Sequence, residues 1–269
     1  MKNIFKDISH LNQFDHFFDL MSEYISKNDT IYVELDLMNF ATIDSNSISR
    51  SEFLNFFLKL FSELVGEKGN LIVPTFSYSW GENNKEKIYD VVNTRALTGI
   101  FPNFLLGQKN TIRTMDPIFS TAVIGHDSKY FIQNNNNSFS SNSIFKKIYD
   151  TDAKLISFGL NKFDPTFVHF VEQYFDETYE KINYRYLKKL NGTMIDYNNN
   201  LTKNTFLCFL RDMKKDMSFN EIKIKNDLKA QGLYTNFKIF NGNVHLCRAV
   251  DFFNVGVAGM KKNPYYFVK

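Results

Sequence analysis

Hydrophobic residues recur along the chain at two spacings, and the switches between them mark the expected elements. Residues 11–27 carry Phe14, Phe17, Phe18, Met21 and Ile25 at helical intervals, as one buried helix face requires. A short β-rich run, Thr30 to Asp36, follows. From Ser51 to Val65, Phe53, Phe57, Leu60, Phe61 and Leu64 fall on one side of a second helix, which Gly66 and Gly69 close. Asn70 to Pro74 is then apolar throughout. Strand, amphipathic helix and buried strand in succession predict a βαβ unit in a parallel sheet.

Further strands are expected at Phe119–Ile124 and Lys154–Gly159, each bounded by turn residues. A helix should start near Thr166, capped by Asp164 or Thr166, with Pro165 beside them. Ile182 to Tyr197 reads as a hairpin turning at Asn191-Gly192. Asn220 to Gln231 reads as a helix ended by Gly232, with strands around Tyr234–Phe240 and Val244–Arg248. Asn134 to Ser143 is an Asn/Ser-rich loop. The expected architecture is one α/β domain over residues 1–269, with helices on both faces of a mainly parallel sheet and a hairpin appendage near 182–200.

Composition narrows the function classes. The 269 residues are 43% hydrophobic and 23% charged, which suits a globular protein with a sizeable core. Cys208 and Cys247 form neither a disulfide framework nor a CxxC site, so a reducing cytoplasm is expected, and no metal. No apolar run approaches the length of a membrane span, and the first residues lack a signal-peptide core. The net charge of +3 is spread along the chain, without the clustered basic stripe of a nucleic-acid binder.

Open α/β sheets bind ligands beyond the carboxyl ends of their strands, which directs attention to three clusters. The first is Thr166-Phe-Val-His169-Phe-Val-Glu172. On a helix His169 and Glu172 share a side, so the carboxylate could hold one ring nitrogen while the other takes a proton. The same spacing also describes a surface ion pair. The second is Thr75-Phe76-Ser77, whose hydroxyls could donate to a carbonyl or phosphate, or simply form a polar turn. The third is Arg113 to Ser120, where Arg113 and Asp116 flank Pro117 and could bind a polar substrate or each other. His10, His16, His126 and His245 read as structural or solvated. Nucleophile-elbow, phosphate-loop, dinucleotide-fingerprint and HExxH patterns are absent.

Taken in order, these segments resemble the aminoglycoside 3-N-acetyltransferase family. The resemblance lies in Val73-Pro74-Thr75-Phe76-Ser77, in Arg113 to Ser120 with Gly125, and in Ser143 to Ile148. It continues in Leu155 to Leu160, in Thr166/His169/Glu172, and in Tyr184-Arg185 with Gly192. It implies a three-layer α/β/α fold, acetyl-CoA as donor and direct transfer to an amine. His169 would be the general base and Glu172 its partner. Thr75, Phe76, Ser77, Ser120 and Ser143 would lie near the pantetheine arm or diphosphate. An acyl carrier protein is an alternative donor.

The chain departs from the family pattern at Val33-Glu34-Leu35-Asp36-Leu37, where a histidine and serines are usual. It departs again at Asp116-Pro117-Ile118-Phe119-Ser120 and at Asn103. These are the substrate-side positions, so Asp36, Arg113 and Asp116 are expected to face the acceptor. With a pI near 8.6, they point to an anionic acceptor, a nucleotide-linked amino sugar of surface-glycan synthesis, with Arg113 meeting the diphosphate. The alternatives are an aminoglycoside acceptor, a non-catalytic acyl-CoA-binding relative, and a serine hydrolase using His169.

Overall fold

The computed structural model describes residues 4–5, 11–40, 42–43, 49–132, 136–212 and 217–269. His10, Asn134 and Asn135 lie outside them. The first half of the chain runs β1 (Ile4–Phe5), α1 (Leu11–Ser22), β2 (Thr30–Leu35), β3 (Thr42–Ile43), α2 (Arg50–Val65), β4 (Asn70–Pro74), β5 (Ile88–Asp90), α3 (Ile100–Leu106), β6 (Ile112–Arg113) and β7 (Thr121–Gly125). The second half runs α4 (Ser128–Phe131), α5 (Ile144–Asp150), β8 (Lys154–Phe158), α6 (Val168–Thr178), β9 (Arg185–Ile195), β10 (Leu201–Arg211), α7 (Glu221–Ala230), β11 (Thr235–Ile239), β12 (Gly242–Arg248) and α8 (Ala249–Lys262).

The large sheet has the order β11-β12-β8-β2-β4-β7-β6. Only β8, β2 and β4 at its centre run parallel; β7, β6, β12 and β11 on the two flanks are antiparallel to their neighbours. The sheet is therefore mixed, and the expected mainly parallel sheet is corrected. Helix α2 makes the crossover that lets β2 and β4 run parallel, whereas β12 reaches the sheet from the tight β11–β12 turn and must run antiparallel to β11. Alternation along the central strands separates two hydrophobic clusters. Ile31, Val33, Leu71 and Val73 pack with the phenylalanines of α1 and α2. Tyr32, Ile72 and Leu155 pack with α5, α6 and α8.

The second sheet, β10-β9-β5, corrects the expected hairpin. Asn191-Gly192 is not its turn but the middle of β9, paired with Asn204 and Thr205, and the reversal comes at Asp196–Asn200. Glycine is needed there because a Cβ at position 192 would collide with the Trp80 ring and the Lys87 carbonyl. The N-terminus of α6 also differs from expectation. The helix begins at Val168 with no side-chain cap, and the Thr166 amide is instead bonded to Glu34 across the sheet edge.

Candidate active site

The carboxyl ends of β2, β4 and β8 converge on the loop that leads into α6. There His169 and Glu172, three residues apart on one helix turn, meet with Nδ1 and Oε2 at 2.9 Å. Glu172 is 1% exposed, so its charge requires compensation. Arg185, at the start of β9, supplies it: Nε lies 2.6 Å from the same Oε2, as an ion pair and not an aligned hydrogen bond. Burial alone would raise the Glu172 pKa, but Arg185, together with His169, brings it below the ordinary carboxylate value. Glu172 is thus an anion. An anion at Nδ1 fixes the proton on that nitrogen and leaves Nε2 as a free base. Burial, and next the Arg185 charge, hold the His169 pKa below its usual value, outweighing the pull of Glu172. The imidazole is therefore neutral at neutral pH and about one-fifth exposed, with 22% of its side chain open.

Two phenyl rings flank it edge-on, Phe139 at 5.5 Å and Phe119 at 6.4 Å between centroids. Asp116 fixes Phe119, because one of its carboxylate oxygens accepts from the amides of Ile118 and Phe119, both at 2.8 Å. Burial pushes the Asp116 pKa up to about 6 despite those bonds. Asp116 is 6% exposed and shapes the turn beneath Phe119, which is how it bears on the site. Asn137 holds Phe139 in the same manner, through the Phe139 amide at 3.1 Å.

The hydroxyl residues do not face outward together. Thr75 and Ser120 are fully buried and joined at 3.3 Å, and both accept from Arg113 Nε. Arg113 is 1% exposed. Its remaining donors reach the Thr75 carbonyl at 2.7 Å and the Thr94 carbonyl, and its guanidinium lies 5.2 Å from the Tyr89 ring. It ties β4, β6 and β7 together, and a guanidinium so enclosed does not meet an acceptor's phosphate as expected. Ser77 donates to the Pro117 carbonyl at 3.1 Å. Ser143 caps α5 by accepting from the Lys146 amide. Asp36 caps the turn after β2, accepting from the Met38 amide at 3.1 Å. Of the strand-end residues expected at the donor, Phe76 borders a cavity.

That cavity, of about 180 Å³, lies between the ends of β2 and β4 and is bordered by Glu34, Phe76, Pro102, Leu160 and Thr166. Among the described residues no group of histidine, cysteine and carboxylate side chains could hold a metal ion, and no helix is long and apolar enough to cross a membrane. His245 is buried on β12 between the Tyr234 hydroxyl and the Leu160 carbonyl, and His126 is exposed beside Asp127.

Sequence reasoning missed the partnership of Arg185 with Glu172 and the ring of Phe139; it placed Glu34 at a substrate-side position without singling it out as a site residue. Arg185 carried a signal, as the Tyr184-Arg185 pair already stood out. Glu34 carried another, as a lone carboxyl in the apolar strand Ile31–Leu35.

The aminoglycoside 3-N-acetyltransferase family model matches residues 47–261. No curated protein matches the chain by sequence. Among solved structures, aminoglycoside acetyltransferase AAC(3)-Xa superposes with a TM-score of 0.75 at 13% identity, covering 93% of each chain. AAC-IIIb in a binary complex with CoASH gives 0.73 at 15% identity, covering 93% of this chain and 96% of that one. The YokD protein from Bacillus subtilis gives 0.73 at 12% identity, covering 94% of each.

Proposed function

Because the chain belongs to the aminoglycoside 3-N-acetyltransferase family, we propose that it transfers acetyl from coenzyme A to the amine of an amino sugar, with His169 as the base. The observation that carries this reading is the row His169–Glu172–Arg185. It presents a neutral imidazole with one tautomer enforced, the state a general base needs. A non-catalytic relative has no need of a buried ion pair that sets a tautomer, and among the described residues no strand-to-helix serine stands at the site to support a hydrolase.

The surroundings fit the donor. Acetyl-CoA supplies an activated thioester carbonyl, and an uncharged imidazole between two phenyl rings suits an amide-rich, uncharged arm. Phe119 and Phe139 are the side chains that would hold that arm beside His169. His169 Nε2 then accepts the proton that the attacking amine must lose. Glu172 stabilises the imidazolium so formed, and Arg185 keeps Glu172 ionised throughout. An arm lying over the imidazole would displace water from the ring's open side, which favours transfer to an amine over hydrolysis.

Burial narrows the acceptor. The Arg113 guanidinium is spent inside the fold, so a nucleotide diphosphate loses the cation expected for it. The net charge of +3 is the remaining support for a nucleotide-linked acceptor and a role in glycan synthesis. The cavity beside the site instead presents a carboxyl, Glu34. An amino sugar carrying free amines, alone or within an aminoglycoside, suits that sign better. A panel of amino sugars, nucleotide-linked amino sugars and aminoglycosides, each with acetyl-CoA, tests the reading by thiol release and by mass of the acceptor. Acceptor-dependent thiol release with one acetyl gained by an amine is expected. Thiol release that no amine accelerates, or none at all, would contradict it.

A further inference from the structure

Transfer to an amine needs a hydrogen-bond donor as well as a base. As the amine nitrogen bonds to the thioester carbon, an electron pair moves onto the carbonyl oxygen, and a donor already aimed there lowers the barrier. The hydroxyls after β4 and before β7 are engaged within the fold. Ser120 donates to the Thr75 carbonyl at 2.7 Å, the Thr75 hydroxyl lies 3.3 Å from that of Ser120, and Ser77 donates to the Pro117 carbonyl. Tyr78, the next residue, differs. Among the described residues no group is hydrogen-bonded to its hydroxyl, and 42% of the residue is exposed.

Tyr78 holds a backbone φ of 50°, a left-handed conformation that costs a tyrosine free energy. Its neighbours enforce it. The Ser77 amide donates to the Ile118 carbonyl at 3.2 Å, and the Ser79 amide and hydroxyl each donate to the Pro117 carbonyl at 2.9 Å. The Tyr78 carbonyl accepts from the Asn84 side chain at 2.6 Å and from the Gly81 amide at 2.8 Å. The turn gripped by the two serines is the one that Asp116 shapes beneath Phe119. Tyr78 and Phe119 are therefore fixed to one another, with ring centroids 5.8 Å apart. Strain held this firmly marks a side chain whose direction matters.

The hydroxyl lies within electrostatic reach of the Glu34 carboxyl and the Cys208 sulfur, and those two groups bracket His169. Glu34 accepts from the Thr166 amide, and the Thr166 carbonyl accepts the His169 amide at 3.0 Å. Cys208 accepts from the Ser138 hydroxyl at 3.8 Å, and the adjoining Phe139 ring flanks the imidazole. Burial, and next the Glu34 charge, raise the Tyr78 pKa above its ordinary value, so the phenol keeps its proton at neutral pH. We propose that Tyr78 is a second catalytic residue, its hydroxyl donating to the carbonyl oxygen of the acetyl thioester while His169 takes the proton of the attacking amine. The inference rests on the acetyl-transfer reading above. The carbon–nitrogen bond forms, the carbonyl pair moves onto the oxygen held by Tyr78, and Nε2 of His169 receives the amine proton. The pair then returns, the carbon–sulfur bond breaks, and His169 gives its proton to the departing thiolate. Tyr78 donates a hydrogen bond throughout and loses no proton.

The test compares the wild type with Tyr78→Phe, which keeps the ring and removes the donor. Infrared spectroscopy of acetyl-CoA labelled with carbon-13 at the carbonyl, bound without acceptor, reads the hydrogen bond directly. In the wild type the thioester band should lie at lower wavenumber than in free acetyl-CoA, and in the variant it should return towards the free position. The variant should also lose about 10² to 10³ in kcat, the worth of one oxyanion donor, with KM for acetyl-CoA little changed. A tyrosine that only packs would be replaced by phenylalanine without either effect. Tyr78→Gly, which the left-handed backbone favours, should show the same two losses and carries the test if Tyr78→Phe does not fold. An unshifted band in the wild type, a shift that survives in the folded variants, or variant turnover near the wild-type rate would overturn the proposal. Failure of the acetyl-transfer reading is separate: it would appear as a wild type that acetylates no amine, and the infrared comparison would still decide whether Tyr78 holds the thioester.

Discussion

A histidine serves as a base only when it is neutral and its free nitrogen is aimed at the substrate, and in this protein two oppositely charged neighbours set both conditions. The acid limb of kcat/KM should follow the His169 pKa, which lies below its usual 6.5. Arg185→Gln removes a positive charge that lowers that pKa, so the limb should move to higher pH. Glu172→Gln removes the group that raises it, so the limb should move to lower pH, with a loss of kcat as the tautomer is freed. Profiles of the folded variants that shift in the same direction, or not at all, would refute the assignment. Glu34 makes a separate prediction about stability. Its folded pKa of about 7 is above its ordinary carboxylate value, so the folded state holds a proton that the unfolded chain releases. Stability from this group is therefore full below the unfolded pKa and declines as pH rises towards 7. Glu34→Gln should raise the melting temperature at pH 8 by an amount equivalent to roughly 1–3 kcal/mol and change little at pH 4. An equal effect at both pH values would show that the carboxyl is not held uncharged by burial. His169 and Glu172 were legible because helical spacing fixes their mutual position. Arg185 was not, because its contact with Glu172 depends on how β9 packs on α6.

At the scale of elements, residue type proved a poor guide to which way a side chain faces. Thr75, Ser120 and Arg113 lie at strand ends, as a ligand site requires, yet they bond to one another inside the fold. Arg113→Leu should cost roughly 2–5 kcal/mol, because it strips the buried Thr75 carbonyl and the part-buried Thr94 carbonyl of their donors. In the folded fraction the acceptor KM should keep its wild-type salt dependence. A stable variant with a raised KM would return Arg113 to the acceptor site. The β9–β10 hairpin shows the same limit. Asn-Gly is a turn signal, but here the glycine is required by the Trp80 ring, a contact distant in sequence. Helix α8 went unread although its exposed residues Asn254, Ala258, Lys261 and Lys262 recur at helical spacing, because Gly256 and Gly259 lower its helix propensity. Both glycines are close against Phe267 and Tyr266, where any side chain would intrude.

At the scale of the molecule, the central parallel strands bring Glu34, Phe76 and the turn before His169 to one edge, and the antiparallel flanks hold that edge in place. Strands β2, β4, β7 and β8 were legible because each is a short apolar run between turn residues. Their directions were not, since a buried run reads the same in parallel and antiparallel sheets. The site was legible as far as its base and the carboxylate beside it. Its ring-lined face depends on loops converging from β4, β7 and α5. The central claim is that His169 takes the proton from the acceptor amine, and the most direct measurement compares kcat for acceptor-dependent thiol release from acetyl-CoA in the wild type and in His169→Ala. Loss of a general base should lower kcat by about 10² to 10⁴, with donor and acceptor affinities kept within a few-fold. Turnover of the variant near the wild-type rate at neutral pH would contradict the account.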